Sequence, residues 1–276
     1  MIRQGQLKGL LWLWCVVVLL GCGQRPSSAP IGVSVTIEPQ RFFVDRISGG
    51  HVRASVVVPA GQSPEAYDPT PGQMAEIVSS RAYLRIGKIG FEVTWMDKIQ
   101  MLNGSLAVYD LSEGIKWEEE DPHIWNSFEG ARVIASNTLK ACIELDPDRA
   151  SQYEENYEGL LRDIRVREER VRKLLSPLSG HAFIIYHPTL TYFAREFDLV
   201  QLAIEEHGKE PTPGDMYRLI DRAKVLHART AFIQQEFDIK NLHTVARESG
   251  ATIALLHPLT YRPLDELVRI ACLLAP

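Results

Sequence analysis

Short apolar runs alternate with helical segments in the first part of the chain, after residue 30. The runs are rich in β-branched residues and are bounded by turn residues, which is typical of buried strands. Strands that alternate with helices indicate a parallel sheet with helices on its faces. The predicted strands are 31–37, 52–58, 82–86 and 106–109, and the predicted helices are 39–48, 71–80 and 92–102.

The middle of the chain has a different pattern, with consecutive helices predicted at 124–145 and 147–175. In the second helix, apolar residues recur at steps of three, four or seven, which places them on one face. Acidic residues precede basic ones by one turn, as in Glu158 and Arg162, and such pairs support a solvent-exposed helix. Pro177 ends the pattern. We therefore predict one long helix with a single apolar stripe.

Strands and helices alternate again after residue 180. The predicted strands are 182–186, 200–204, 231–233 and 252–256, and the predicted helices are 214–226, 239–248 and 264–274. The chain is therefore predicted to be an α/β protein with two lobes, each with a mostly parallel sheet, joined by one long rigid helix. The predicted boundaries are 31–145 for the N-terminal lobe, 146–177 for the connecting helix and 178–276 for the C-terminal lobe.

The N-terminus has the pattern of a targeting segment. Two basic residues precede the apolar run 9–20, which is too short to span a membrane comfortably. Leu19–Cys22 follows at once, and a small residue before a cysteine resembles the bacterial lipoprotein signal. We expect residues 1–21 to be removed, Cys22 to carry lipid, and residues 22–30 to form a tether. A plain secretory signal and an uncut membrane anchor are the alternatives.

Charge and cysteine content narrow the function. The 276-residue chain has a formal net charge of −5, which argues against a broad nucleic-acid-binding surface because such a surface needs a basic excess. Once the signal is removed, Cys142 and Cys272 are the two cysteines left beside the anchor. An exported pair could oxidise to a disulfide, and two separately buried thiols are an equal alternative.

Three of the eight histidines occupy strand-to-helix junctions. His187 and His257 each follow a predicted strand and precede a proline, which keeps them out of helical conformation. Ligands of open α/β sheets bind at this end of the strands. His123 opens the helix after an acidic loop. Each could be a structural residue at a helix start, but three in similar settings over both lobes indicate a shared site. The remaining histidines are predicted to be surface or capping residues.

A tetrahedral zinc site needs a fourth ligand. The loop at 58–71 follows the second predicted strand, and its proline content predicts a stiff conformation. Glu65 and Asp68 are its carboxylates. The alternative is a solvated turn in which Asp68 caps the following helix.

Several motifs, in order along the chain, resemble the substrate-binding lipoproteins of zinc and manganese ABC transporters (metal-binding cluster A-I). The resemblance covers nearly all of the chain after the signal. In the family's first motif, a histidine precedes a Tyr-Glu-Pro-Thr-Pro sequence, and Glu65 stands at that histidine's position here. The matching stretches are Pro64–Pro71 (PEAYDPTP), Asp121–Trp125 (DPHIW), His187–Phe193 (HPTLTYF), Gly208–Pro213 (GKEPTP), Glu236 and His257–Leu259 (HPL).

The resemblance implies four metal ligands: Glu65, His123, His187 and His257. Glu65 replaces a family histidine and His257 replaces the closing aspartate, so the carboxylate has moved to the other lobe. Three imidazoles and one carboxylate suit zinc, with manganese as the alternative. The family's histidine-rich loop is missing. The remaining residues that the resemblance places beside the ligands are Asp68, Asp121 and Glu236.

The resemblance also implies the biological role. The protein would be a lipid-anchored subunit in the cell envelope, periplasmic or otherwise extracytoplasmic, that delivers zinc to a permease driven by an ATPase. It would not be an enzyme. A zinc hydrolase with an open three-histidine site is one alternative, although the chain has no His-Glu-x-x-His helix. A surface adhesin of the same family is the other.

Overall fold

The computed structural model describes residues 29–205, 211–234 and 240–275. The predicted signal 1–21 and the anchor Cys22 lie outside the described residues, as do His207 and Glu236. Within the described ranges the chain forms two four-stranded parallel sheets with helices packed on them. The predicted fold class is therefore confirmed.

The first sheet has the strand order β2-β1-β3-β4, with every pair parallel. The chain runs from β1 to β2 on one side and then returns to β3 on the other side of β1, so the strand order reverses between β1 and β3. Its elements are β1 (Ile31–Val35), α1 (Glu38–Ser48), β2 (Val52–Val56), α2 (Pro71–Ser79), β3 (Ala82–Arg85), α3 (Gly90–Leu102) and β4 (Ala107–Asp110).

The loop between β2 and α2 ends in a strong helix cap. The Thr70 hydroxyl accepts a hydrogen bond from Gln73 N at 3.3 Å, and the Gln73 side chain accepts one from Thr70 N at 2.9 Å. This reciprocal pair satisfies two backbone donors that a helix start leaves open. Gln73 also donates to Val57 O at 2.9 Å, which fixes α2 against the end of β2.

We predicted one continuous helix at 124–145, and this prediction is wrong. The segment forms a 3₁₀ turn at Ile124–Asn126 followed by α4 (Phe128–Leu145). Ser127 separates them in an extended conformation, and its hydroxyl accepts from Gly130 N at 3.0 Å. A Cβ on Gly130 would lie 1.9 Å from Ile124 O. A glycine is therefore required where the 3₁₀ turn folds back on α4.

The long helix α5 (Ala150–Leu175) follows a 3₁₀ turn at Pro147–Arg149. Its 26 residues span about 39 Å at 1.5 Å per residue. It packs on α1 and α4 of the first lobe and on the final helix of the second. Its fully buried residues confirm the predicted apolar stripe; they are Tyr153, Leu160, Ile164, Val171 and Leu175.

The second sheet has the order β6-β5-β7-β8, again all parallel and again reversing after its second strand. Its elements are β5 (Ala182–Ile185), α6 (Thr191–Glu196), β6 (Val200–Ala203), α7 (Pro213–Val225), β7 (Thr230–Gln234), α8 (Lys240–Ser249), β8 (Thr252–Leu256) and α9 (Pro263–Leu274). The short helix α6 was not predicted, because six residues are too few to show a helical period.

Two hydrophobic clusters fill the interior. The larger one runs from the first sheet through α4, α5 and α9 to one face of the second sheet, where it includes Phe183, Ile185 and Phe232. The smaller one lies between the other face of that sheet and helices α7 and α8. Among the described helices, none is both long and apolar enough to cross a membrane.

Both cysteines in the described residues are free thiols. Cys142 is fully buried on α4, and burial raises the pKa of its thiol to about 12. Cys272 is exposed on α9. The alternative of two separately buried thiols therefore fits Cys142 and not Cys272.

Candidate metal centre

A small cavity lies where the carboxyl ends of strands from both sheets meet. It encloses about 310 Å³, part of it open to solvent. The lining residues lie in the segments that follow β2, β4, β5 and β8 and at the end of β7, as expected for ligand sites of open α/β sheets. The lining residues are Ser63, Pro64, Glu65, His123, His187, Thr189, Gln234, Pro258 and Leu259.

His123 reaches the cavity from the loop between β4 and α4, and Asp121 fixes its ring. Asp121 Oδ1 accepts from His123 N at 2.8 Å and lies 2.6 Å from His123 Nδ1. Burial raises the pKa of Asp121, but the hydrogen bond and charge of His123 outweigh burial and leave it lowered. The ionised carboxylate accepts a hydrogen bond from Nδ1–H of His123, so Nε2 is the nitrogen available to a metal.

His187 lies directly after β5, close to the end of the central strand β7. The side chain of Gln234 bonds to both backbone groups of His187, accepting from N at 3.2 Å and donating to O at 3.3 Å. His187 Nδ1 lies 3.3 Å from both carboxylate oxygens of Glu205. Burial, reinforced by the charge of His123, lowers the pKa of His187 to about 4. The imidazole is therefore neutral at pH 7, which is the form that binds metals.

The two histidines come from different lobes and contact each other. Their ring centroids are 5.2 Å apart, and the planes are tilted by 76°. The Trp125 ring also lies beside His123, at a centroid distance of 5.1 Å, and donates from Nε1 to Pro258 O at 2.8 Å. Three segments of the two lobes are thus joined around the pair.

Glu65 closes a third side of the cavity. Its loop docks on the start of α3, where Gly90 N donates to Glu65 Oε2 at 3.3 Å and Phe91 N donates to Pro64 O at 2.9 Å. A Cβ on Gly90 would lie 2.3 Å from Glu65 O, so only glycine permits this approach. Burial of the Glu65 carboxyl group raises its pKa, and the charge of His123 and the hydrogen bond from Gly90 N oppose this shift.

Comparison with known proteins shows the family to which the chain belongs. Residues 33–266 match the family described as zinc-uptake complex component A, periplasmic (ZnuA). The chain belongs to this family. Its members are metal-binding substrate-binding proteins of ABC transporters, and the family consists of solute-binding transport proteins rather than enzymes.

Named relatives cover most of the chain. It is 26% identical over 221 residues to the manganese-binding lipoprotein MntA of Halalkalibacterium halodurans, covering 76% of this chain and 73% of the relative. It is 22% identical over 276 residues to the high-affinity zinc uptake protein ZnuA of Bacillus subtilis, covering 89% and 86%. A crystal structure of ZnuA superposes with a TM-score of 0.82 at 36% identity, covering 88% of this chain and 96% of that one.

The predicted ZnuA-family ligands are not all assembled in one place. Glu65, His123 and His187 line the cavity, whereas the half-buried ring of His257 lies outside that lining. His257 follows β8, and its backbone N donates to Glu266 Oε1 at 2.8 Å. Asp68 is exposed on its loop. In the described parts of the chain, no three His, Cys, Asp or Glu side chains converge closely enough to hold a metal.

Two residues that support His187 were missed by the sequence analysis. Glu205 lies two residues after β6, and Gln234 ends β7 and is 1% exposed. β6 and β7 lie on either side of β5, so the ends of both strands lie close to His187, which follows β5. The available signal was a polar residue at the end of an apolar strand, which becomes specific only when the strand order is known.

Proposed function

We propose that the protein captures zinc outside the cytoplasm, in the cavity between its lobes, and delivers it to the permease of an ABC transporter driven by an ATPase. The observation that carries this proposal is the contact between His123 and His187. The two rings come from different lobes, and Nδ1 of each faces a carboxylate. Carboxylate–histidine pairs of this kind orient metal-binding imidazoles.

The donor chemistry supports zinc before manganese. Two imidazoles and the Glu65 carboxylate line the cavity, and neutral imidazole is a good ligand for zinc, while manganese favours oxygen ligands. Because the pKa of His187 is lowered to about 4, protons compete little for this nitrogen at neutral pH. The two nitrogen donors lead us to expect a preference for zinc over manganese.

His257 is proposed as the fourth ligand. It directly precedes Pro258, which lines the cavity and is bound by Trp125. The His257 ring would have to turn towards the cavity when the metal binds. Water or Asp68 is the alternative to Glu65, which lies on an exposed loop.

The anchor and the domain limits complete the proposal. Cys22 would be the lipid-bearing first residue of the mature protein, with residues 22–30 as tether and the lobes at 31–145 and 178–276 on either side of the connecting segment 146–177. Intact mass of the native protein should show added lipid and no residues 1–21. A Cys22→Ser protein that is still processed and still membrane-bound would contradict the anchor.

The test of the site is competitive titration of each variant against a zinc chelator. Glu65→Ala, His123→Ala, His187→Ala and His257→Ala should each lower zinc affinity at a nearly unchanged apo melting temperature. His243→Ala, on the exposed side of α8, is the matched control. Glu65→His should retain binding, because it restores the usual family ligand.

The outcomes separate the parts of the proposal. Wild-type affinity in both His123→Ala and His187→Ala would place the site elsewhere. Wild-type affinity in His257→Ala alone would leave the other three residues with a solvent ligand. A silent Glu65→Ala would remove the carboxylate from the set and keep the histidines.

A further inference from the structure

Helix α6 begins four residues after His187 and packs against the opposite lobe. Tyr192 in its first turn is 1% exposed. The Tyr192 hydroxyl donates to Asp121 O at 2.9 Å and accepts from Glu118 N at 3.1 Å. One side chain of the second lobe therefore binds both ends of the short loop 118–121, immediately before His123.

Two further residues of α6 contact the same region of the first lobe. The Arg195 guanidinium pairs with the carboxylates of Glu118 and Glu129. The Glu196 carboxylate accepts from Phe128 N at 2.9 Å and from Glu129 N at 3.1 Å, so it caps the start of α4. Together they attach α6 to residues on both sides of His123.

We infer that Tyr192 is a positioning residue that sets the spacing of His123 and His187, an inference that rests on the proposed metal-binding function. The Asp121 carbonyl is held by Tyr192, and the Asp121 carboxylate holds the ring of His123. Tyr192 is tied to His187 by only five residues of chain. The Tyr192 phenol thus connects the loop that orients His123 to the segment that carries His187.

The other α6 contacts do not replace this connection. The Arg195 side chain is 31% exposed and pairs with partly exposed carboxylates, and ion pairs of this kind contribute little. Glu196 acts on residues that follow His123, not on the loop before it. Loss of the Tyr192 hydroxyl therefore frees the Asp121 carbonyl, while the packing of the Tyr192 ring and the hydrogen bond from Thr191 to the Asp121 carboxylate are left intact.

The test is zinc affinity of Tyr192→Phe, measured by chelator competition and by the rate of zinc release to excess chelator. Removing a group that orients a metal ligand typically weakens binding by 10–100-fold, and we expect about tenfold here, through faster release. Tyr153→Phe is the matched control. Tyr153 is also fully buried and donates to a carboxylate, that of Asp146 at 2.8 Å. It should lose melting temperature and keep its zinc affinity.

A double variant distinguishes positioning from a general structural effect. In a His123→Ala background, Tyr192→Phe should weaken binding no further, because its effect passes through His123. An undiminished loss in that background would show that Tyr192 acts on the fold and would overturn the inference. Wild-type affinity in Tyr192→Phe with weakened His123→Ala would overturn the inference alone. Wild-type affinity in His123→Ala would contradict the proposed function itself.

Discussion

Strands β1 and β5 occupy the same place in their sheets, yet their carboxyl ends are used differently. Each lies second in its strand order, beside the point where that order reverses. After β1, the Gln40 side chain accepts from Thr36 N and Ile37 N, both at 2.9 Å, and donates to Leu84 O at 2.8 Å. The polar groups at this edge are satisfied within the first lobe.

A buried carboxylate completes the closed edge of the first sheet. Glu92 is 2% exposed and accepts from Ile86 N at 3.1 Å, from Gly87 N and from the hydroxyl of Thr36. All of these donors belong to the same lobe. The end of β1 therefore stabilises the lobe and contributes no side chain to the cavity lining.

After β5, a glutamine again binds the backbone, but the neighbouring ring points to the cavity. Gln234 holds His187 N and O as Gln40 holds the end of β1. His187 itself lines the cavity and meets His123 of the other lobe. Strands in equivalent places thus support a structural network after β1 and part of the cavity lining after β5, and the side chains at the strand end decide which.

The largest effect expected from this comparison concerns Glu92 and stability. Burial, opposed by its hydrogen bonds, raises the pKa of Glu92 from 4.5 to about 7. Between pH 4.5 and about 7, the folded state holds a proton that the unfolded state has lost. The contribution of Glu92 to the free energy of unfolding is therefore complete below pH 4.5 and is lost as the pH rises to about 7. Its magnitude is about 3 kcal/mol.

Urea unfolding of metal-free protein between pH 4.5 and 8 should show this loss in wild type. For Glu92→Gln, the free energy of unfolding should fall less over this pH range, by about that contribution. The zinc affinity of the variant should stay near that of the wild type. A difference between the two proteins that does not change with pH would contradict the burial of an ionisable carboxyl at this edge.

The second effect is at the cavity and concerns Asp121. Asp121→Asn should lower zinc affinity about 10–100-fold, because a neutral amide orients His123 and supports its basicity less well than a carboxylate. Chelator competition measures the loss. The melting temperature of the apo protein should change little, which is the reverse of the Glu92 result. Unchanged affinity would mean that His123 needs no orientation by Asp121.

The smallest effect is at the end of β6. Glu205→Gln should weaken zinc binding about threefold, less than Asp121→Asn, because the Glu205 oxygens lie 3.3 Å from Nδ1 of His187 and the Asp121 contact is 2.6 Å. Shorter charge-assisted hydrogen bonds are the stronger ones. A larger loss for Glu205→Gln than for Asp121→Asn would reverse the proposed ranking of the two carboxylates.

Local pattern was sufficient for both sheets, because each strand is a short apolar run and each helix has its own period. Local pattern also showed that His187 follows a strand and that His123 directly precedes a helical segment. The break at Ser127 was missed because one extended residue between two helical segments leaves the apolar period almost unchanged. These successes and failures are all local.

The contacts around the pair of His123 and His187 could not be predicted from any single segment of the sequence. Gln234 and Glu205 reach His187 only because β7 and β6 lie on either side of β5, and strand order is a property of the assembled sheet. Tyr192 was visible as part of a motif, but its partner loop is over 70 residues earlier in the chain. The orientation of the His257 ring depends on its rotamer, which a sequence does not encode locally.

The division of the interior into two clusters has a consequence for cooperative unfolding. The larger cluster is continuous from the first sheet to one face of the second, so the amides of β1, β3 and β5 should exchange with solvent deuterium only by global unfolding. Helices α7 and α8 contribute their buried residues to the smaller cluster, so we expect them to open as a separate unit at a lower free energy. Transient opening of that outer layer would leave the face of β5 that joins the lobes, and with it the histidine pair, still assembled.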